Sequence, residues 1–337
     1  MIRYQKKKPM LRRPRRNRKS ESVRKLVRET TLGQNDLIMP LFLEQGNNIK
    51  KQIPSLPVAY RWSLENMLFE IEDCLKYGIH AFILFPKIPE NLKDSQASYS
   101  ADPDNFYLHA AAKIKEKFPE ISLVSDVALD PYNSDGHDGI VKNGIIQNDE
   151  TLELLEKMSV LQAEAGFDIL GPSDMMDGRV ENIRTALDAH GHSQVSIMSY
   201  TAKYASAFYG PFRDALDSAP VEKEDIPKDK KTYQIDPANS KEALLEAELD
   251  TMEGADFLMV KPALNYLDII YQINNQFELP VVAYHVSGEC AMLLAACRNN
   301  WLDYETAMPE TLLSIKRSGA KLIISYFAKE FAKLIKS

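Results

Sequence analysis

Cysteine is scarce in this chain: three in 337 residues, at Cys74, Cys290 and Cys297, with no CxxC spacing. That excludes a disulfide framework and argues against a thiolate zinc site. No apolar run approaches the roughly 18 residues a membrane span needs. The first 28 residues lack the apolar stretch of a secretory signal. No GxGxxG follows any apolar run, so the dinucleotide fingerprint is missing too. These absences lead us to expect a soluble, cytoplasmic chain of one large or two ordinary domains.

Acidic residues are nearly absent from the start. Residues 1–28 hold thirteen Lys/Arg and a single Glu, whereas the remainder holds 28 basic and 47 acidic residues. A basic arm therefore precedes an acidic body. Three readings stand: nucleic-acid binding, a transit segment, or packing of the arm on the acidic body of a sister subunit. Serine is sparse for a transit segment. Nucleic-acid arms interleave aromatics for stacking, and only Tyr4 lies in this one.

What the chain does have is repetition. Apolar, β-branched-rich runs recur at 37–43, 81–85, 121–129, 167–170, 195–200, 257–260, 280–286 and 322–326. Most are continuous rather than alternating, as in strands buried on both faces. Between them lie helical patterns at 63–77, 151–165, 179–189, 240–253, 266–277, 288–299 and 309–318. Ser63 is placed as an N-cap. Gly78, Gly166, Gly254 and Gly319 close a helix just before a strand. Eight β/α repeats predict an α/β fold, a single closed (β/α)8 TIM barrel over residues 31–337, preceded by the arm at 1–30. A doubly wound sheet is the runner-up. Two long loops, 86–105 and 216–239, read as lids or disordered segments.

In such a barrel, chemistry sits where strands end. Lys261 ends the sixth run, after four apolar residues and before Pro262. A lysine there is partly desolvated, which lowers its pKa and suits a Schiff-base nucleophile. Lys203 lies just past the fifth run, so two ammonium groups face one cavity and depress each other's protonation. The third run leads into Asp126, Asp130, Asp135, His137 and Asp138. Carboxylates without thiolates suit a hard cation such as Mg²⁺, and a solvated acidic turn is the plainer alternative. The fourth run leads into Ser173, Asp174, Asp177 and Arg179, a polar cluster or a helix cap. Tyr284, Ser287 and Tyr326 bring hydroxyls to the mouth, and Arg213 and Gln234 flank the lid. Arginine is a natural bidentate clamp for a carboxylate. The set fits a small oxo acid.

Four strings then carry a resemblance: Ala202 to Asp214 (AKYASAFYGPFRD), Met259 to Pro262 (MVKP), Pro172 to Arg179 (PSDMMDGR) and Tyr284 to Glu289 (YHVSGE). Together they resemble the porphobilinogen synthase (5-aminolevulinate dehydratase) family, from Arg13 to the C-terminus. The resemblance implies a homo-octamer that joins two 5-aminolevulinates in tetrapyrrole (heme) biosynthesis. It implies Lys261 and Lys203 as the two imine lysines. It places Ser287 and Tyr326 on one substrate carboxylate, and Arg213 and Gln234, helped by Lys230, on the other. Tyr209 falls on the lid side, which spans 209–239, and Asp126 and Ser173 fall near the amino groups.

The same resemblance divides on metal. Zinc-using members carry three cysteines where this chain has Ala128, Asp130 and Asp138, which implies the aspartate-rich, magnesium-responsive class without zinc. Asp130 and Asp138 become candidate active-site Mg²⁺ ligands, Glu246 matches an allosteric Mg²⁺ ligand, and Asp135 has no assigned role. Without the resemblance, Glu242, Glu246 and Asp250 at i, i+4, i+8 read as a solvated helix face. A class I Schiff-base aldolase is the rival enzyme, but it leaves the second lysine without work. Small-molecule substrate, with no nucleic acid and no membrane, is the expected partnership.

Overall fold

Each of the eight apolar runs becomes a strand, because such a run is satisfied only where both faces are covered. The computed structural model describes residues 10–218, 220 and 225–336. They divide into two compact units, one ending at Thr31 and one starting at Leu32. In the first, Pro14–Arg18 forms a 3-10 turn and α1 (Glu21–Leu26) is capped by Ser20, whose hydroxyl accepts from the Val23 amide. Leu11 and Leu26 on this arm are 83% and 84% exposed.

The strands of the second unit are β1 (Leu37–Glu44), β2 (Lys50–Ile53), β3 (Leu56–Trp62), β4 (Ala81–Lys87), β5 (Ser122–Val124), β6 (Ile140–Lys142), β7 (Ile145–Gln147), β8 (Ile169–Leu170), β9 (Ser196–Lys203), β10 (Phe257–Lys261), β11 (Val281–His285) and β12 (Leu322–Ser325). Eight of them run parallel in the order β1, β4, β5, β8, β9, β10, β11, β12, and β12 returns to β1 at Leu37↔Ile323 to close the ring. The outer helices are α2 (Leu64–Leu75), α3 (Phe106–Lys117), α4 (Asn148–Glu164), α5 (Arg179–Ala189), α6 (Gly210–Leu216), α7 (Lys241–Met252), α8 (Leu267–Gln276), α9 (Ser287–Arg298), α10 (Tyr304–Arg317) and α11 (Ala328–Lys336). The result is a closed (β/α)8 barrel. None of the described helices is long and apolar enough to cross a membrane.

The glycines before the strands work as read. Gly319 has φ +118, and a Cβ there would meet the Asn274 side chain at 2.7 Å, so both backbone and space require glycine. Other expectations shift. Lys203 ends β9 itself rather than lying beyond the strand. Helix α10 starts five residues before Pro309, because Asp303 caps it by accepting from the Thr306 amide at 3.0 Å. Ser63 precedes α2 but caps nothing; its hydroxyl accepts from the Ile49 amide at 2.9 Å. The hairpins β2–β3 and β6–β7 and the helices α3 and α11 are additions. The tight β6–β7 turn is Asn143-Gly144, with φ 51 and 73, the pairing a primed turn requires.

Candidate active site

Lys203 and Lys261 are Cα partners on the last rung between β9 and β10. Both are nearly closed off, 6% and 5% exposed. Rings surround the Lys261 ammonium: Tyr284 at 4.7 Å, Phe212 at 4.9 Å, Tyr200 at 5.0 Å and Tyr209 at 5.2 Å from nitrogen to centroid. Burial, and then the like charge of Lys203, bring the Lys261 amine down to about 7, against the pull of Asp126, Asp130 and Asp138. Lys203 Nζ donates to the Ser173 carbonyl and lies 3.7 Å from Asp138 Oδ1.

The acidic segment after β5 folds inward rather than into solvent. Burial and the neighbouring Asp130 push the Asp126 carboxyl up to about 7, against both lysines and a hydrogen bond from Ser173. Asp130 and Asp138 each accept from the ammonium of Lys230, at 2.9 and 2.8 Å. Burial opposes the charge of Asp138, yet Lys203 and Lys230 bring its carboxyl down to about 2. Burial likewise works against Lys230, and the two aspartates more than restore its charge. His137 spends both ring nitrogens, one on Tyr233 Oη at 3.0 Å and one on the Pro227 carbonyl at 2.7 Å. Asp135 anchors the turn, its amide donating to Asn133 Oδ1 at 2.7 Å.

This arrangement tests the fit of a divalent ion at the mouth. Ala128 is buried and has no donor. Asp130 and Asp138 already share an ammonium, and a dication there would have to displace Lys230. The aspartate pair does not fit a divalent ion while Lys230 is in place.

The carboxylate-binding candidates come from both barrel and lid. Ser287 opens α9, and its hydroxyl accepts from the Phe212 amide of α6 at 3.0 Å. Tyr326 follows β12 and exchanges a hydrogen bond with Tyr284 at 3.1 Å. Tyr209 donates to the carbonyl of Tyr204 at 2.8 Å. Arg213 is half-buried on α6. Gln234 is buried beside Lys203, because the Ile235 amide donates to the Lys203 carbonyl at 3.0 Å. Gln234 Oε1 and Tyr200 Oη have no partner among the described residues. Buried polar atoms left unpaired in this way call for a partner such as a water or a ligand.

Glu246 sits on α7, in a cavity that Gln234 also lines. Asp250 on the same helix is 1% exposed, so the reading of a solvated face fails there, whereas Glu242 is exposed. Arg179 of α5, equally buried, donates to Ser199 Oγ at 3.0 Å, and Ser199 donates to Asp250 Oδ2 at 2.7 Å. Burial raises the Glu246 carboxyl to about 7. It lines a cavity of about 290 Å³ with Asn148, Asp177 and Glu242. One or two carboxylates with room for water suit Mg²⁺, so this site does fit.

A closed parallel barrel with two desolvated lysines at the mouth defines a class: barrel enzymes that use amine chemistry on carbonyl substrates. The family model for delta-aminolevulinic acid dehydratase matches residues 11–334. A delta-aminolevulinic acid dehydratase of Chlamydia pneumoniae is 53% identical over 324 residues, covering 96% of either chain. One from Bradyrhizobium diazoefficiens is 50% identical over 325 residues, covering 96% of this chain and 91% of that one. The crystal structure of the Toxoplasma gondii enzyme, in complex with the reaction product porphobilinogen, superposes with a TM-score of 0.93 at 50% identity, covering 96% and 92% of the two chains. The chain belongs to the delta-aminolevulinic acid dehydratase family.

Proposed function

We propose that this chain is a lyase that condenses two molecules of 5-aminolevulinate into porphobilinogen, releasing two waters, through imines on Lys261 and Lys203. The observation that carries the reading is the rung on which the two lysines face each other, with the Lys261 amine down at about 7. An amine near neutrality is unprotonated often enough to attack a ketone, and the ketone oxygen leaves as water. Lys261 holds the molecule that becomes the propionate side, with Ser287 and Tyr326 on its carboxylate. Lys203 holds the molecule that becomes the acetate side, with Arg213, Gln234 and Lys230 on its carboxylate. Asp126, at about 7 and hydrogen-bonded to Ser173, can both give and take a proton beside the substrate amino groups. Tyr209 and α6 close the mouth and exclude water.

Mg²⁺ is the proposed cofactor, held by Glu246 with waters filling its shell. Bound there, it would supply fixed positive charge on α7, and the allosteric role assigned to it follows from the family resemblance. No zinc is expected. A homo-octamer, with residues 1–30 clasping a neighbouring subunit, is supported by the charge segregation and by the exposed Leu11 and Leu26. The proposed setting is heme biosynthesis in the cytoplasm. The deciding experiment is incubation with 5-aminolevulinate and assay for porphobilinogen, with and without EDTA. Failure to form porphobilinogen under either condition overturns the reading.

A further inference from the structure

The ladder between β10 and β11 ends at Val260↔Ala283. Lys261 and Ser287 both lie beyond that rung, yet the proposed reading has them grip two ends of one substrate molecule. Lys261 is fixed on its other flank, where its carbonyl accepts from the Tyr204 amide of the β9 side at 2.9 Å. Toward β11 the ladder stops there among the described residues, and one buried carboxylate reaches across. Glu289, fully buried on the first turn of α9, accepts from the Leu264 amide at 2.7 Å and the Ala263 amide at 3.4 Å. It also accepts from the Val286 amide at 2.8 Å. One carboxylate thus ties the segment just after Lys261 to the segment just before Ser287.

We infer that Glu289 is a positioning residue that sets the distance between the Lys261 amine and the Ser287 hydroxyl, and through it the length of oxo acid the site accepts. The inference rests on the reading of Lys261 and Ser287 given above. In a 4-oxo acid two methylenes separate ketone and carboxylate. A fixed spacing between amine and hydroxyl selects that length, because one extra methylene in a fitted site costs about tenfold or more. A cap for α9 alone would need only the Val286 contact. The two bonds to Ala263 and Leu264 contribute nothing to capping α9, and they are the ones that reach the lysine.

The test is imine trapping with two methyl ketones, 4-oxopentanoate and 5-oxohexanoate. The Lys261 amine adds to the ketone carbon and the ketone oxygen departs as water. Borohydride then delivers hydride to the imine carbon and leaves a secondary amine, read as added mass on the Lys261 peptide. The full-length protein should label with 4-oxopentanoate in preference to 5-oxohexanoate by about tenfold or more. Glu289→Gln keeps the side-chain volume but turns an amide N–H₂ toward backbone donors, so at least one bond is lost. Its preference should fall to roughly threefold or less, through better labelling by the longer acid relative to the shorter. Glu289→Asp, one methylene shorter, should relax the ratio likewise and serves if the amide variant does not fold. Equal losses with both acids and an unchanged ratio would overturn the inference and leave Glu289 a packing residue. So would failure of both variants to fold. Absence of any label on Lys261 in the unmodified protein would instead bring down the site reading, and this inference with it.

Discussion

Lys203 and Lys261 are Cα partners on the final rung of the β9–β10 ladder, so strand pairing fixes the spacing of the two points from which their side chains start. A rigid strand pair presents reactive groups more reproducibly than loops do.

Replacement of either lysine should abolish turnover. Lys261→Met and Lys203→Met are each expected to lose on the order of a thousandfold or more in kcat, measured as porphobilinogen formed per minute. Lys261→Arg should fail equally, because a guanidinium stays protonated and cannot serve as the amine. Wild-type rates in both Met variants would rule out the two-imine mechanism.

The same lysine burdens folding in a pH-dependent way. Its amine titrates near 7 in the folded chain and near the ordinary lysine value when unfolded. Between those values the unfolded chain holds the extra proton, so this contribution to stability improves as pH rises, by about 1.4 kcal/mol per unit, and is worst at or below pH 7. Lys261→Met should therefore melt higher than wild type at pH 7, with the advantage shrinking toward pH 10. An advantage that grows with pH would contradict the assignment.

Lys230→Met would remove the ammonium that Asp130 and Asp138 share, leaving Asp138 only the Lys203 ammonium at 3.7 Å. Breaking such a pair costs about 3–5 kcal/mol. The vacated carboxylates should then recruit a dication. Mn²⁺ titration followed by paramagnetic resonance should find one more site per chain in the variant than in wild type. Equal stoichiometry in the two proteins would mean that Lys230 does not exclude a metal.

For Glu246 the expectation is regulatory. Mg²⁺ should stimulate the wild-type enzyme, and Glu246→Ala should lose the stimulation while retaining basal turnover. Stimulation that survives in the variant would place the responsive site elsewhere. Elemental analysis of the purified protein should find no stoichiometric zinc.

Deletion of residues 1–30 should leave the barrel folded and shift the assembly to smaller species in sedimentation. The arm's segregated positive charge and exposed leucines motivate this expectation. An unchanged mass, with steeply salt-dependent nucleic-acid binding lost on deletion, would support the other use of a basic arm.

The barrel was legible because continuous apolar runs and closing glycines are local signals. Lys261 announced itself as a charge after four apolar residues in a strand. The Asn143-Gly144 turn is a local signal too, yet the β6–β7 hairpin it joins was missed because it lies in a connection between the apolar runs. Other features were not legible. The bonds from Lys230 to Asp138 and Asp130 join residues 92 and 100 positions apart, a pairing that exists only once the lid has folded over the β5 loop. The burial of Asp250 was hidden for a different reason. Acids at i, i+4 and i+8 look alike in sequence whether they meet solvent or a buried arginine, and Arg179 comes from another helix. Glu289 sat in a recognisable string, but its backbone partners at Ala263 and Leu264 belong to a neighbouring strand's loop.

The lysine that bridges Asp130 and Asp138 also bears on how the protein withstands chemical insult. Soft heavy-metal ions and thiol oxidants attack thiolate centres. Positions 128, 130 and 138 after β5 carry no thiol, and the three cysteines lie on helices: Cys74 on α2, Cys290 and Cys297 on α9. An ammonium that is part of the polypeptide cannot be chelated away or lost under metal starvation. Poisons that act by exchange at a metal–sulfur centre should find no target there.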